Sequence, residues 1–467
     1  KLSFDTVRTE MKDADYSGDD FKISGSWSVR NLMINQARIA ANDIVVTNAK
    51  IDADVLVGSN YLCLDSTSSI FLKNAVVHPY VKYTLSPNKV YELKLNVEEQ
   101  SAQDLLAAFP QGLFESLDGM EVSGKLTYRL DFYLDTSIPD SVRFNSNLSP
   151  NNFKILKWGK TDLQKINRDF VYTPYEYGKP MRDILIGPAN SNFTPLKDIS
   201  FNFRNALLTS EDPSFFRHHG FVEESFRKSI AVNFKEKRFK RGGSTISMQL
   251  VKNVFLSRNK TISRKAEEIL IVWMIENNRL ISKERMLEVY FNIIEMGPNV
   301  YGIGEAARYY FGKHPSELSV GEGIFLANIV PRPKAALYKF MNDGRLKPHL
   351  LSYFNFIGNT MARRGLTSSD TSGYGFYNVR LREGLRQYLL PDSVVVDTAA
   401  LEVDDEMPTD QPVIQQDKGK SLFDRLFPAK KDTVIRPTVK IDTTKTKKQL
   451  RQERRAERRK EKEGGGE

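Results

Sequence analysis

The chain is poor in cysteine: among 467 residues only Cys63 is present, so no internal disulfide can form. Five histidines and one cysteine supply no cluster with zinc-ligand spacing, and no metal site is read from the residues. Long hydrophobic runs are also missing. The longest, Ile269 to Ile275, falls far short of the roughly 20 residues that cross a bilayer. Single-sign charge is scarce outside one segment. Lys445 to Glu463 holds ten Lys or Arg against four Glu, a net +6 that leaves only +4 of the formal +10 for the rest. The basic isoelectric point is thus a property of the tail, and no nucleic-acid partner is expected. What is present is enough apolar residue, 40%, to build conventional cores in two or three domains, which excludes wholesale disorder. The chain opens at Lys1 without Met and enters strand-like sequence almost at once, so it reads as cropped, with any anchor in a missing N-terminal segment.

Residues 27 to 98 alternate apolar and polar positions over short stretches: Leu32 to Ile39, Asp43 to Thr47, Lys50 to Val57, Ser69 to Val77, Tyr80 to Leu85 and Val90 to Val97. Ser101 to Leu117 reads as a helix broken at Pro110, and alternation returns from Gly119 to Asp135. From Tyr172 to Ser200, four prolines among Gly, Asn and Thr mark a connector. The period then changes to three and four. Helices are expected at Phe203 to Leu208, Phe221 to Phe234, Thr245 to Phe255, Arg264 to Ile281, Lys283 to Phe291, Gly302 to Phe311, Val320 to Ile329 and Leu350 to Arg364, with Ser282 and Ser319 as start signals. The reading is an α+β multidomain chain: a β-rich domain (1–155), a connector (156–193), an all-α domain (194–365), a short extension with a helix at Val379 to Leu390 (366–395), and a disordered tail carrying the basic arm (396–467). The tail includes a small amphipathic patch, SLFDRLF, at Ser421 to Phe427.

The residues that suggest chemistry lie between Ser210 and Asn292. Glu211 and Asp212 precede Pro213, which favours the first turn of a helix; the plain alternative is that Asp212 caps a helix whose Phe215 and Phe216 enter the core. Gly242 and Gly243 permit a tight turn before Ser244 and Thr245, which open the next helix with free N–H groups of the kind that bind anions. Lys260, Arg264 and Lys265 stand at another helix start, where they oppose the macrodipole and suit an external polyanion. Glu268 shares a helix line with Val272 and Ile275 and so faces a partly apolar wall, while Glu267 and Glu268 also read as ordinary first-turn carboxylates.

These residues fall into five ordered motifs: Glu211-Asp212 with Phe215, His218 and Gly220; Gly243-Ser244-Thr245 with Gln249; Arg264-Lys265 with Glu268; Lys283 with Leu287, Tyr290 and Asn292; and Gly297 with Tyr301-Gly302 and Ala306-Ala307. The set resembles the peptidoglycan glycosyltransferases of glycosyltransferase family 51, and the continuation NIIEMGPNVYGIGEAARYYFGK looks most like the monofunctional biosynthetic transglycosylases. The resemblance covers roughly Thr194 to Gly365. It implies a lysozyme-like helical fold and an inverting polymerisation of lipid II, in which the 4-hydroxyl of one lipid-linked sugar attacks C1 of another and undecaprenyl pyrophosphate departs. By motif position Glu211 would be the general base and Glu268 would assist near the leaving group. Lys252, Lys260, Arg264 and Lys265 would hold the pyrophosphate, and Ser244 and Gln249 would contact the donor. A divalent cation, Mg or Mn, is permitted at the pyrophosphate without being required.

The match has departures. The family usually carries two consecutive glutamines where this chain has Met248-Gln249, and Lys260 stands where Arg is common, giving up bidentate phosphate contact. Neither His218 nor His219 is given a proton-transfer role. SFRK at Ser225 and SRNK at Ser257 match a penicillin-binding motif by chance, since both fall inside the helical region and no KTG follows. A cross-linking transpeptidase would therefore be a separate protein. The resemblance places the enzyme at the periplasmic face of the inner membrane, with lipid II, the growing glycan and the membrane surface as partners. The strand pattern of the first domain resembles the lipid-handling β-layers of the AsmA family; a structural or docking module is the plainer reading. Two other functions fit parts of the sequence: a lysozyme-like hydrolase or lytic transglycosylase, since two carboxylates suit either chemistry, and an inactive scaffold that binds lipid or glycan.

Overall fold

The computed structural model describes residues 1–389 except 18, 19, 177, 238–241, 258 and 260. The expected tail, its basic arm, the Ser421 to Phe427 patch and Lys260 lie outside the described residues.

The N-terminal region is one antiparallel sheet of ten strands. Its strands are β1 (Leu2–Ser3), β2 (Thr6–Ser17), β3 (Asp20–Ile34), β4 (Ile44–Val57), β5 (Tyr61–Leu64), β6 (Ser69–Leu72), β7 (Ala75–Thr84), β8 (Val90–Ser101), β9 (Glu121–Asp135) and β10 (Arg143–Lys157). The order runs β1-β3-β4-β5-β7-β8-β9-β10, with β2 beside β3 and β6 bridging β4 and β7. Alternation finds β4, β8 and β9 but not the β2–β3 ribbon, whose solvent-facing strands carry charge on alternate positions with few buried residues to set a pattern. Between β8 and β9 the expected helix is only α1 (Ala102–Ala108), capped by Ser101, whose hydroxyl accepts from the Asp104 N–H at 3.2 Å. Beyond Pro110 the chain turns without resuming the helix.

The second region is helical: α2 (Phe201–Glu211), α3 (Glu223–Glu236), α4 (Ile246–Phe255), α5 (Ile262–Asn277), α6 (Lys283–Ile293), α7 (Gly302–Phe311), α8 (Val320–Ile329) and α9 (Leu351–Arg363). Ser282 and Ser319 cap α6 and α8 as their sequences suggest, and Glu322 completes a capping box on α8. Helix α8 is apolar on nearly every side and is accordingly buried, packing against α2. The helix expected at Val379 to Leu390 shrinks to α10 (Glu383–Arg386), because Val379 and Leu381 instead descend into the core as extended chain.

The two regions share one core. Leu126 and Phe153 of the sheet belong to the same buried cluster as Leu163 and Ile166 of the 156–193 segment and Ile271 and Tyr290 of the helices. Strand β10 meets α5 at Trp273, whose indole donates to the Leu148 carbonyl at 3.1 Å and packs edge-on against Phe153. The β3–β4 loop meets the start of α5: the N–H groups of Ile262 and Ser263 donate to the carbonyls of Arg38 and Ile39 at 3.0 and 2.9 Å. Among the described residues no helix is long and apolar enough to cross a membrane.

Candidate active site

Pro213 ends a helix instead of starting one. A residue before proline is driven away from the helical region, and Asp212, at φ −152° and ψ 76°, closes α2 just after Glu211. Phe215 enters the core as expected, but Phe216 is 53% exposed. Asp212, 4% exposed, accepts from His218 Nε2 at 2.9 and 3.0 Å and from the Ile246 N–H at 3.1 Å. It is the resident anion at the positive end of α4. Two of the opening amides expected to be free are thus engaged: Asp212 takes that of Ile246, and the Thr245 hydroxyl takes that of Met248 at 3.2 Å.

Gly220 explains the spacing of this first motif. Its N–H donates to His218 Nδ1 at 2.9 Å, which leaves Nε2 to donate to Asp212, and its carbonyl accepts from the Thr245 hydroxyl at 2.6 Å. With φ at +86° and a would-be Cβ only 2.2 Å from Val272 Cγ1, the position admits glycine alone without rearrangement. His218 is therefore a strut between a carboxylate and a turn.

Glu211, half-buried at the end of α2, accepts from the Gln249 amide at 3.0 Å, and the Gln249 carbonyl accepts from the Tyr290 hydroxyl at 2.6 Å. Burial raises the Glu211 carboxyl above the ordinary glutamate range; the Gln249 bond partly offsets this, and the Asp212 charge adds to it. Burial likewise raises the Tyr290 phenol, which stays a donor.

On the other side of the same helix start, Lys265 donates to the Ser244 hydroxyl at 3.0 Å and to Glu268 Oε1 at 2.5 Å. Arg264 stands 3.7 Å from Glu268 Oε2. Glu268, 1% exposed, thus meets two cations and not the apolar wall that its helix line suggests. Its neighbour Glu267 turns to the sheet region, accepting the Ser116 N–H at 2.7 Å, and burial raises its carboxyl.

Glu211 with Gln249 and Tyr290, and Ser244 with Lys265, Arg264 and Glu268, are gathered around the opening of α4. Gln249 lies in the opening turn of α4, and Ser244 lies just before its N-cap Thr245. Lys252 stands in the last turn of α4, three residues beyond Gln249. Gly243 lies 3.2 Å from the Phe226 Cα by its would-be Cβ, so its role is close approach of backbones. Asn292 is a clamp: it accepts from the Thr194 N–H at 2.8 Å and donates to the Thr194 and Glu288 carbonyls at 2.9 and 2.8 Å. Sequence reasoning missed Glu276, a buried carboxylate that accepts from Ser247 at 2.5 Å and from Lys283 at 2.6 Å while Lys283 lies over the Phe215 ring. The signal was a lone acid closing an apolar run seven residues before a lysine.

The cations beside Glu268 bear on the metal question. Its oxygens face Lys265 and Arg264, and among the described residues no three His, Cys, Asp or Glu side chains gather as a ligand set. These residues do not fit a protein-built divalent-cation cage.

Residues 177–347 match the family model described as Transglycosylase. Three similar proteins carry the name biosynthetic peptidoglycan transglycosylase. That of Acinetobacter baumannii (strain SDF) is 42% identical over 161 residues, covering 34% of this chain and 70% of the relative. That of Acinetobacter baylyi is 38% identical over 160 residues, with the same shares. That of Paraburkholderia xenovorans is 36% identical over 169 residues, covering 36% of this chain and 68% of the relative. The family match begins beyond the ten-stranded sheet.

Proposed function

This chain belongs to the biosynthetic peptidoglycan transglycosylases and is a peptidoglycan glycosyltransferase, and from that premise we propose that it polymerises lipid II on a lysozyme-like helical scaffold at the periplasmic face of the inner membrane. Glu211 is the general base. One of its oxygens is held by Gln249; the other takes the proton of the acceptor 4-hydroxyl as that oxygen attacks C1 of the donor. The new O4–C1 bond forms on the face opposite the departing oxygen, the C1–O bond to phosphate breaks, and undecaprenyl pyrophosphate leaves with inversion at C1. A positioned carboxylate of this kind contributes ~10²–10⁴-fold, and the raised pKa makes Glu211 a better base once ionised.

The leaving diphosphate is met by Lys265 and Arg264, with Ser244 donating a hydroxyl; Lys252, in the last turn of α4, and Lys260 add positive charge. Glu268 is a positioning residue that fixes the two cations before the substrate arrives, so that they need not reorganise as charge develops. No step is routed through a metal. The observation that carries this reading is the juxtaposition of a desolvated carboxylate and a fixed cationic pair on either side of one helix start. Glycan hydrolysis, the nearest competitor, needs the carboxylates but gives no use for cations clamped at a helix N-terminus.

The test is polymerisation of labelled lipid II by the parent and by Glu211→Gln. Long strands from the parent and a loss of at least a hundredfold in the variant are expected. Shortening of preformed glycan by the parent, without strand growth from lipid II, would overturn the assignment.

A further inference from the structure

Between the sheet and α5 lies a half-open cavity of about 550 Å³, within the size range of ligand pockets. Its walls include Val77, Leu95 and Leu126 from one sheet face, Leu105 from α1, and Ile269 and Trp273 from α5. The polar groups in the lining are largely spoken for: Tyr128 and Ser146 hydrogen-bond each other at 3.1 Å, and the Trp273 indole is bonded to Leu148. Protein interiors leave few voids larger than a water molecule, so a space of this size between two packed layers is a feature of the arrangement and not slack. A lining this apolar suits a hydrocarbon.

The cavity has a direction. Ala266, Ile269, Leu270 and Trp273 follow one another at three- and four-residue spacing, so one stripe of α5 forms the wall for about 10 Å along its axis. The stripe begins at Ala266, next to Lys265, whose ammonium reaches Ser244. Met248, next to Gln249, also lines the cavity and is 1% exposed. The glutamine replaced at that position is therefore accounted for by an apolar lining. Cationic site and apolar wall share the opening turns of the same two helices.

We propose that this cavity holds isoprenoid units beyond the second of a polyprenyl chain whose phosphate head sits at Lys265, Arg264 and Ser244. The sheet is then part of the substrate site, a wall that the matched 177–347 segment does not supply. The proposal rests on the reading of the head-group site given above. A single prenyl chain bearing a terminal phosphate fits an apolar stripe that begins one residue beyond a cation of the head-group site; a two-chain phospholipid with the same head charge is the rival source of such chemistry.

The test uses the full chain in detergent and compares binding of geranyl phosphate with undecaprenyl phosphate, in the parent and in the cavity-filling variants Val77→Trp and Leu95→Trp. The parent should bind the longer chain at least tenfold more tightly. Each variant should lose at least tenfold for undecaprenyl phosphate while geranyl phosphate binding and turnover of a short-chain lipid-linked disaccharide stay within about threefold. A diazirine-tagged farnesyl phosphate, which needs no variant to fold, should label the β8 peptide of the parent. Equal binding of both chain lengths by the parent, undiminished undecaprenyl binding by both variants, or labelling confined to peptides outside the cavity would overturn the proposal. Displacement of undecaprenyl phosphate by equimolar phosphatidylglycerol would overturn its assignment to a prenyl chain. Chain-length discrimination that persists in a protein unable to extend lipid II would support the cavity while rejecting the polymerase reading.

Discussion

Substituting Gly220 by alanine tests whether the first motif is built around a single tight contact. An L-residue held at φ +86° costs about 1–2 kcal/mol. The added Cβ would lie 2.2 Å from Val272 Cγ1, well inside the ordinary carbon–carbon separation of roughly 3.5–4.0 Å. Val272 cannot swing aside easily, since it is buried on α5 and β-branched side chains in helices hold one rotamer. Overpacking of this sort costs about 1–3 kcal/mol, so Gly220→Ala should destabilise by about 2–5 kcal/mol in total. The thermal midpoint should fall by roughly 4–20 °C, taking about 2–4 °C per kcal/mol. A double-mutant cycle with Val272→Ala isolates the contact. The pair should show a favourable coupling of about 1–3 kcal/mol, because removing Cγ1 relieves the overlap and leaves only the backbone strain. Activity at a temperature where the variant is folded should also drop, since displacing Gly220 disturbs both His218 and Thr245. Coupling below about 0.5 kcal/mol, within the scatter of independent sites, would refute the packing argument.

Three further outcomes follow from the same region. Because the Glu211 carboxyl is raised in the folded protein, the native state holds protons that the unfolded chain has released, and stability should fall as pH rises from the ordinary glutamate range through the raised value. Glu211→Gln should therefore be at least as stable as the parent at neutral pH and show a shallower decline; Glu267 is shifted in the same direction, so the slope should shrink without vanishing. In the parent, kcat/KM should climb over that window as the base ionises, and a rate that is flat there would argue against Glu211 in this role. Asn292→Ala, by contrast, should act on stability alone: it strands the Thr194 N–H and carbonyl at about 1–3 kcal/mol each, visible as a lowered thermal midpoint with kcat/KM of the folded enzyme nearly unchanged.

Local features were legible where one short-range signal stood alone. Ser282 and Ser319 mark their helix starts, and among the motif residues Glu211 meets Gln249 while Ser244 and Glu268 both meet Lys265. Asp212-Pro213 was ambiguous in principle, since proline suits a helix start and also forces the preceding residue out of a helix; the upstream amphipathic α2 decided it. Glu267 and Glu268 were indistinguishable as adjacent acids because their partners, Ser116 on one side and Lys265 and Arg264 on the other, come from different parts of the chain. The cavity was out of reach for the same reason. Val77, Leu105 and Trp273 read separately as strand, helix and helix core, and only the packing of the sheet on α5 makes them one wall.

At the start of α5 three of the four amides that a helix normally leaves open are taken by the protein: Ile262 and Ser263 by the β3–β4 loop, and Arg264 by the Thr261 hydroxyl at 3.2 Å. Attraction for a diphosphate at this end is therefore exerted through ammonium and guanidinium groups on jointed stems, with no backbone cradle of fixed shape behind them. Such a grip keeps its shape only while Glu268 holds the two cations, and dissolved salt can loosen it.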